Sequence, residues 1–364
     1  MRHLGPVVLA IALATSACAS RPVPASGVSG PARGPARASA PVRAARSPVL
    51  GSDGPVLGVD LLARSNYPAA EVEADGQRVL SYIKNVLKAS AVGIVWNFSA
   101  AKDHSNTIQA TSATLSARNV GILTRIAEQD HLLVEYRPLI VVTRKVWQNH
   151  WEGLISPYNQ ARWFNNYYRL NLPYLRMAQR FGISEFVAAT EMHYLNTSPL
   201  WPKFFHRVGL VYHGVTSYSA WDGDYFPPLT HLLSTKYLGM DMYWHMHLRA
   251  TATLAQVITA FERLFGQLPA SVLRRTAIDE TGIQARAGAY TDPPALDLPG
   301  PRSERVQVNW FTANCAVVRR FHLRGVFFWK VDLTDNPAYP APSLSTFEGR
   351  KGAVAISECS HLFR

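Results

Sequence analysis

The chain has 364 residues, of which 48% are hydrophobic and 17% are charged, so it holds enough apolar material for a large core. This composition excludes global disorder. The longest apolar run near the N-terminus covers only residues 7–14. A membrane-spanning helix needs about 20 apolar residues, so we expect no such helix.

The net charge of +12 is distributed unevenly along the chain. The first 50 residues contain six arginines and no acidic residue, so half of the net charge lies there. The rest of the chain needs no basic binding face, and it shows no nucleic-acid-binding motif. We therefore expect no nucleic-acid partner.

The N-terminus has the three parts of a secretory signal. Arg2 and His3 precede the apolar run, and small residues follow it, which predicts a signal peptide over residues 1–19. Residues 13–18 resemble a bacterial lipobox, in which Cys18 becomes the acylated first residue. Ordinary cleavage after Ala19 is the alternative, so the protein is predicted to be either a cell-envelope lipoprotein or freely secreted. Any membrane contact would run through a lipid on Cys18.

Residues 20–54 are rich in proline, alanine and arginine and are predicted to form a disordered linker. The folded domain is predicted over residues 55–364. Two cysteines remain in this domain, Cys315 and Cys359. They could form a disulfide in an exported protein, or Cys315 could pack in the core as a small apolar residue.

Eight β-rich apolar runs alternate with helical patterns, which indicates βαβ units with a parallel sheet. Each strand is expected to be followed by a helix, with Thr114 as one N-cap, and residues 286–302 form a long loop after the seventh strand. This order favours a single (β/α)8 barrel. The predicted strands are 56–62, 92–98, 132–142, 185–193, 214–221, 238–244, 276–283 and 325–331.

Two glutamates close predicted strands of this barrel. Glu191 ends the fourth strand and Glu280 ends the seventh, and each follows an apolar strand interior. Active sites of such barrels lie at the C-terminal ends of the strands. Two carboxyl groups about 5 Å apart at that end would provide the acid/base and the nucleophile of a retaining glycoside hydrolase.

Short motifs on four strands support this interpretation. They are residues 189–191 (ATE), 237–243 (YLGMDMY), 279–282 (DETG) and 325–330 (GVFFWK). With them the chain resembles clan A glycoside hydrolases, and most closely the β-mannanases of family 113. The resemblance implies that Glu191 is the general acid/base and Glu280 the nucleophile. It further implies that Tyr243 hydrogen-bonds the nucleophile and that Trp329 lies under the sugar at the cleavage point.

The chain departs from the family pattern at two places. Asp279 precedes the nucleophile where an uncharged residue is usual, and the third strand reads Glu135-Tyr136-Arg137-Pro138. Arg137 could bind a sugar hydroxyl, hold the nucleophile, or pair with Glu135 or Asp103.

Most of the nine tryptophans fall at strand ends or in the loops after them, where an indole can stack on a sugar. Trp96, Trp151 and Trp329 are the predicted sugar contacts, with Asn97 as a polar candidate.

The sequence thus predicts an exported retaining glycoside hydrolase that cleaves a β-mannan or a cell-envelope glycan. Its mechanism needs no cofactor or metal. A metal hydrolase using Asp241, His245 and His247 is a weaker alternative. A non-catalytic glycan-binding protein of the cell envelope on the same barrel is another. The sequence does not determine the oligomeric state.

Overall fold

The computed structural model describes residues 48–143, 152–225, 235–295 and 298–363. The predicted signal peptide, Cys18, most of the linker, and Trp147 and Trp151 lie outside these residues. Among the helices of the described ranges, none combines the length and apolar composition required to cross a membrane.

Eight parallel strands close into a barrel in chain order, with β8 paired to β1. This confirms the predicted fold class. The strands are β1 (Val56–Ala63), β2 (Ala91–Ala100), β3 (Leu133–Val142), β4 (Glu185–Thr190), β5 (Val215–Trp221), β6 (Leu238–Asp241), β7 (Thr276–Thr281) and β8 (Gly325–Asp332).

The helices surround the barrel and bury their apolar faces against it. They are α1 (Ala69–Asn85), α2 (Ala117–Gln129), α3 (Gln160–Phe181), α4 (Trp201–Gly209), α5 (Leu254–Phe265), α6 (Ala270–Leu273), α7 (Glu304–Phe321) and α8 (Lys351–Cys359). Between β5 and β6, the described residues contain only the 3-10 turn Asp222–Tyr225, so the helix expected after every strand is not seen there.

One predicted helix cap is wrong. The side chain of Ser116, and not that of Thr114, accepts from the backbone N–H of Asn119 and begins α2. Thr114 instead donates to the carbonyl of Asn97 at 2.7 Å, so its side chain is directed toward β2 and not toward the first turn of α2.

The folded part begins before residue 55. Leu50, which the sequence assigns to the linker, is buried and packs with Val56, Ala91 and Phe327 at the N-terminal end of the barrel. Arg324 donates to the carbonyl of Leu50 at 2.9 Å. Residues just before β1 therefore close the N-terminal end of the barrel.

Cys315 and Cys359 form a disulfide that joins α7 to α8 across 44 residues of sequence. Both cysteines are buried. This answers a question that the sequence leaves open. Cys315 does face the core, as its helical spacing indicates, but α8 brings Cys359 against it.

Candidate active site

Three strands carry an extra residue near their C-terminal ends, where the candidate site lies. In β4 the register with β5 shifts between Val187 and Thr190, and in β7 the register shifts across Asp279. In β8 the shift against β1 falls just before Val331. Bulges re-aim neighbouring side chains. Here they adjoin Glu191, Glu280 and Trp329, the three residues assigned to the cleavage point.

Glu191 lies one residue beyond the end of β4 and has a φ of 48°. Only a small fraction of non-glycine residues adopt this left-handed conformation, and they cluster at functional sites. Its backbone N–H donates to the carbonyl of Ser219 at 2.8 Å, which fixes the turn to β5. The side chain is half-buried.

Glu280 is held by two donors at the mouth of the barrel. The Tyr243 hydroxyl donates to Glu280 Oε1 at 2.6 Å, and Arg137 Nη2 lies 3.2 Å from Glu280 Oε2. Burial raises the pKa of Glu280 to about 7, while Arg137 and the Tyr243 hydrogen bond act in the opposite direction. The carboxyl group is thus poised between its two protonation states near neutral pH.

The environment of Tyr243 keeps its hydroxyl group neutral. Burial raises its pKa well above the usual value, and the charges of Glu280 and then of Glu191 contribute to this shift. The hydroxyl therefore stays protonated and remains a donor.

Arg137 is fully buried and cannot contact a sugar, so its predicted substrate-binding role is wrong. Its guanidinium donates to the Asp241 carboxylate and to the backbone carbonyl of Asp279, in addition to its contact with Glu280. Glu135 and Asp103, the other partners considered, form no ion pair with it among the described residues. Of the predicted alternatives, holding the nucleophile is the one that the geometry supports.

Asp241 extends this network to a fourth strand. Ser219 Oγ on β5 donates to Asp241 Oδ1 at 2.6 Å, and the same oxygen accepts from Arg137. The sequence treats Asp241 as a buried structural acid, and nothing in its spacing indicates that it would orient Arg137. His245, the histidine of the metal alternative that lies nearest in sequence, has its Nδ1 2.7 Å from the carbonyl oxygen of Thr291.

Trp329 is half-buried in the C-terminal half of β8 and is followed by a cis peptide bond to Lys330. Gly282 packs beneath it. A Cβ at Gly282 would lie 2.9 Å from the Trp329 carbonyl oxygen and 3.7 Å from Tyr243 Oη. The absence of a side chain at residue 282 thus allows the ends of β6, β7 and β8 to approach one another.

Trp96 is fully buried and cannot contact a ligand, which corrects its predicted role. It faces the surrounding helices, where its ring stacks on Tyr174 of α3 with centroids 4.4 Å apart. The next residue, Asn97, is half-buried and lies on the opposite face of the strand. Trp151 lies outside the described residues.

A second group of acids lies deeper in the barrel. Asp60, Glu135 and Asp279 are all buried, and none of their carboxylate oxygens has a hydrogen-bond partner among the described residues. Burial raises the pKa of each well above its usual value. Asp279, noted in the sequence as a departure from the family pattern, thus belongs to the barrel interior and not to the mouth.

An eight-stranded parallel barrel with two glutamates at its C-terminal mouth is the arrangement of a barrel glycoside hydrolase. The sequence profile of Glycoside Hydrolase Family 113 matches residues 70–347. The chain therefore belongs to glycoside hydrolase family 113, and it is a glycoside hydrolase.

Solved structures of similar fold include a family 113 β-1,4-mannanase in a complex, with a TM-score of 0.72 and 14% identity over 85% of this chain and 99% of that one. The family 113 β-mannanase from Alicyclobacillus acidocaldarius has a TM-score of 0.69 and 14% identity over 86% of this chain and 99% of that one. A family 5 protein from Streptomyces cattleya bound to Manβ1-4GlcNAc has a TM-score of 0.53 and 14% identity over 84% of this chain and 80% of that one. No curated protein matches the chain significantly in sequence.

Proposed function

We propose that the protein is an exported, retaining glycoside hydrolase that cleaves a β-linked polysaccharide, either a β-mannan or a glycan of the cell envelope. The observation that carries the proposal is the hydrogen-bonded Glu280 at the barrel mouth, together with Glu191 at the end of β4. A purely glycan-binding protein would have no physical need for such a pair.

In the proposed reaction, a Glu280 carboxylate oxygen attacks the anomeric carbon of the sugar. The bond to the leaving oxygen breaks as Glu191 transfers its proton to that oxygen. Glu191, now ionised, takes a proton from water, and the resulting hydroxide displaces Glu280 from the anomeric carbon. Tyr243 and Arg137 stabilise the ionised form of Glu280, which must leave again in the second step.

The similar solved structures support the proposed substrate class. Two of them are β-mannanases, and a third was solved with Manβ1-4GlcNAc. The half-buried Trp329 is proposed as the surface on which the sugar at the cleavage point rests. Asn97 is the candidate for a hydrogen bond to a sugar hydroxyl.

Export is supported by the N-terminal signal pattern and by the Cys315–Cys359 bond. Disulfides persist mainly in oxidising compartments outside the cytosol. The lipobox-like residues before Cys18 favour a lipid anchor, with the linker separating the barrel from the membrane. Labelling with a fatty-acid analogue, compared between wild type and Cys18→Ala, tests the anchor.

The hydrolase is tested by incubating the purified protein with β-mannans, other β-glycans and bacterial envelope polysaccharides, beside Glu280→Gln. Release of oligosaccharides by the wild type only is expected. Proton NMR of the first product should show the β-anomer, because retention follows from a double displacement. Initial release of the α-anomer would overturn the mechanism. Binding without any product in either protein would favour the non-catalytic alternative.

A further inference from the structure

Two strongly exposed tyrosines lie in the loops that follow β3 and β4. Tyr158 is 84% exposed and Tyr194 is 57% exposed, whereas Trp96, Trp163, Trp201 and Trp310 are buried. Both loops leave the C-terminal ends of their strands, so they lie on the face that holds Glu191 and Glu280. Many aromatic residues of the described ranges are buried in the core, whereas these two rings present aromatic surface at this face.

Each tyrosine ring lies against a histidine ring. Tyr158 and His104 have ring centroids 5.1 Å apart, and Tyr194 and His193 have centroids 5.2 Å apart. These contacts restrict the orientation of the tyrosines although their other faces are open to solvent. A ring that is already oriented loses little rotational freedom when a ligand covers it.

The two histidines are themselves fixed by polar contacts. His104 Nδ1 lies 2.9 Å from the carbonyl oxygen of Ser156, and its Nε2 lies 3.6 Å from Asp103. His193 Nδ1 lies 2.5 Å from Asp224, whose other oxygen accepts from Asn196 at 2.7 Å. Two arrangements of tyrosine, histidine and aspartate thus lie at the mouth, and they differ in detail: His104 faces Asp103 through Nε2, whereas His193 faces Asp224 through Nδ1.

The two arrangements lie in one sector of the mouth. The 3-10 turn Glu152–Leu154, which precedes Tyr158, contacts the turn His193–Leu195, which contains Tyr194. Tyr194 follows Glu191 by three residues. A general acid must reach the leaving oxygen, so the part of the substrate that departs lies on the side of Glu191.

We propose that Tyr158 and Tyr194 form a binding surface for the sugar units on the leaving-group side of the cleaved bond. A tyrosine offers an apolar face and a hydroxyl, which suit the apolar face and hydroxyl groups of a pyranose ring. The preferred substrate is then a polysaccharide with several sugar units beyond the cleaved bond, not a short oligosaccharide. This inference rests on the proposed function.

The test compares soluble β-1,4-mannan with β-mannobiosyl fluoride, in which a fluoride replaces the departing sugars. Tyr158→Ala and Tyr194→Ala should each raise KM for the mannan about 2- to 12-fold, as expected from an aromatic contact of about 0.5 to 1.5 kcal/mol. Neither variant should change kcat/KM for the fluoride. Tyr158→Phe and Tyr194→Phe, which keep the ring, should retain most of the affinity for the mannan.

Leu210→Ala provides the control, because Leu210 is 67% exposed and follows α4 at the opposite end of the barrel. It should leave both substrates unaffected. If the alanine variants match the wild type on mannan while both substrates are cleaved, the inference is wrong and the proposed hydrolase stands. If the wild type cleaves neither substrate, the β-mannan assignment fails, and the inference fails with it.

Discussion

Asp279 and Glu280 are neighbours on β7, yet they belong to two different regions of the barrel. Glu280 lies at the mouth and is hydrogen-bonded by Tyr243 and contacted by Arg137. Asp279 lies in the interior, packed against Gly239, and its carboxylate has no hydrogen-bond partner among the described residues. Burial raises the pKa of both groups, to about 7 for Glu280 and well above the usual value for Asp279.

The difference shows that partners, more than burial, distinguish the two acids. A carboxyl group with donors on both oxygens can ionise near neutral pH and can react as a nucleophile. A buried carboxyl group without donors has its pKa raised by desolvation, which favours the protonated form. The bulge in β7 makes this division possible, because it turns consecutive residues toward the inside of the barrel.

The sharpest test of this comparison replaces each acid by its amide. Glu280→Gln should lower kcat by at least ~10⁴-fold, because the proposed nucleophile is lost. Asp279→Asn should change kcat by less than ~10-fold, the equivalent of about 1.4 kcal/mol. Both kcat values are measured from initial rates on the polysaccharide that the wild type cleaves. If both variants lost kcat equally, the positions of the two acids at the mouth and in the interior would not explain their roles.

Tyr243→Phe removes a donor from Glu280 without removing the ring. We expect kcat/KM to fall about 10- to 100-fold, since a hydrogen bond to a charged group contributes about 1.5 to 3 kcal/mol. The pKa of Glu280 should rise above its value of about 7, so the acidic limb of the pH profile should move to higher pH.

Tyr225→Phe is the matched control for this variant, because the buried Tyr225 hydroxyl donates to the carbonyl of Gly239 and not to a carboxylate. Its pH profile should follow that of the wild type. An unshifted acidic limb in Tyr243→Phe would show that Tyr243 does not control the ionisation of Glu280.

Gly239→Ala tests the packing of the interior. Its Cβ would collide with the Asp279 carboxylate and approach Ser219 Oγ to 2.7 Å. Overpacking of this kind costs about 1 to 3 kcal/mol of unfolding free energy. Urea unfolding measures the loss, and the double variant with Asp279→Ser should recover part of it. No recovery would mean that the carboxylate is not what limits the space.

The interior acids also predict how stability depends on pH. Their pKa values are raised in the folded state, so the folded protein retains protons that the unfolded chain releases above its usual values of 3.8 for Asp and 4.5 for Glu. Stability should therefore fall as pH rises from about these values toward the folded-state pKa values. Asp279→Asn should weaken this dependence. The Tm of the variant, taken relative to that of the wild type, should be higher at pH 8 than at pH 5. An identical pH dependence in the variant would contradict the assignment of Asp279 as a protonated acid.

The sequence determined the fold and singled out the central residues of the candidate site. Eight apolar runs alternating with helical patterns specify a barrel, because each parallel strand needs a crossover before the next. Glu191 and Glu280 could be found because an acid directly after an apolar strand interior lies at the functional end of such a barrel. The family motifs added Tyr243, whose hydrogen bond to Glu280 the structure shows.

Tertiary structure decided which neighbouring side chains face the site. Barrel strands are apolar on both faces, so alternation could not show that Trp96 packs against α3 while Asn97 faces the other way. The local sequence also gave no indication of the bulges that direct Glu280 and Asp279, nor of the network in which Asp241 orients Arg137. These arrangements depend on the register between strands that are distant in sequence, which no local pattern contains.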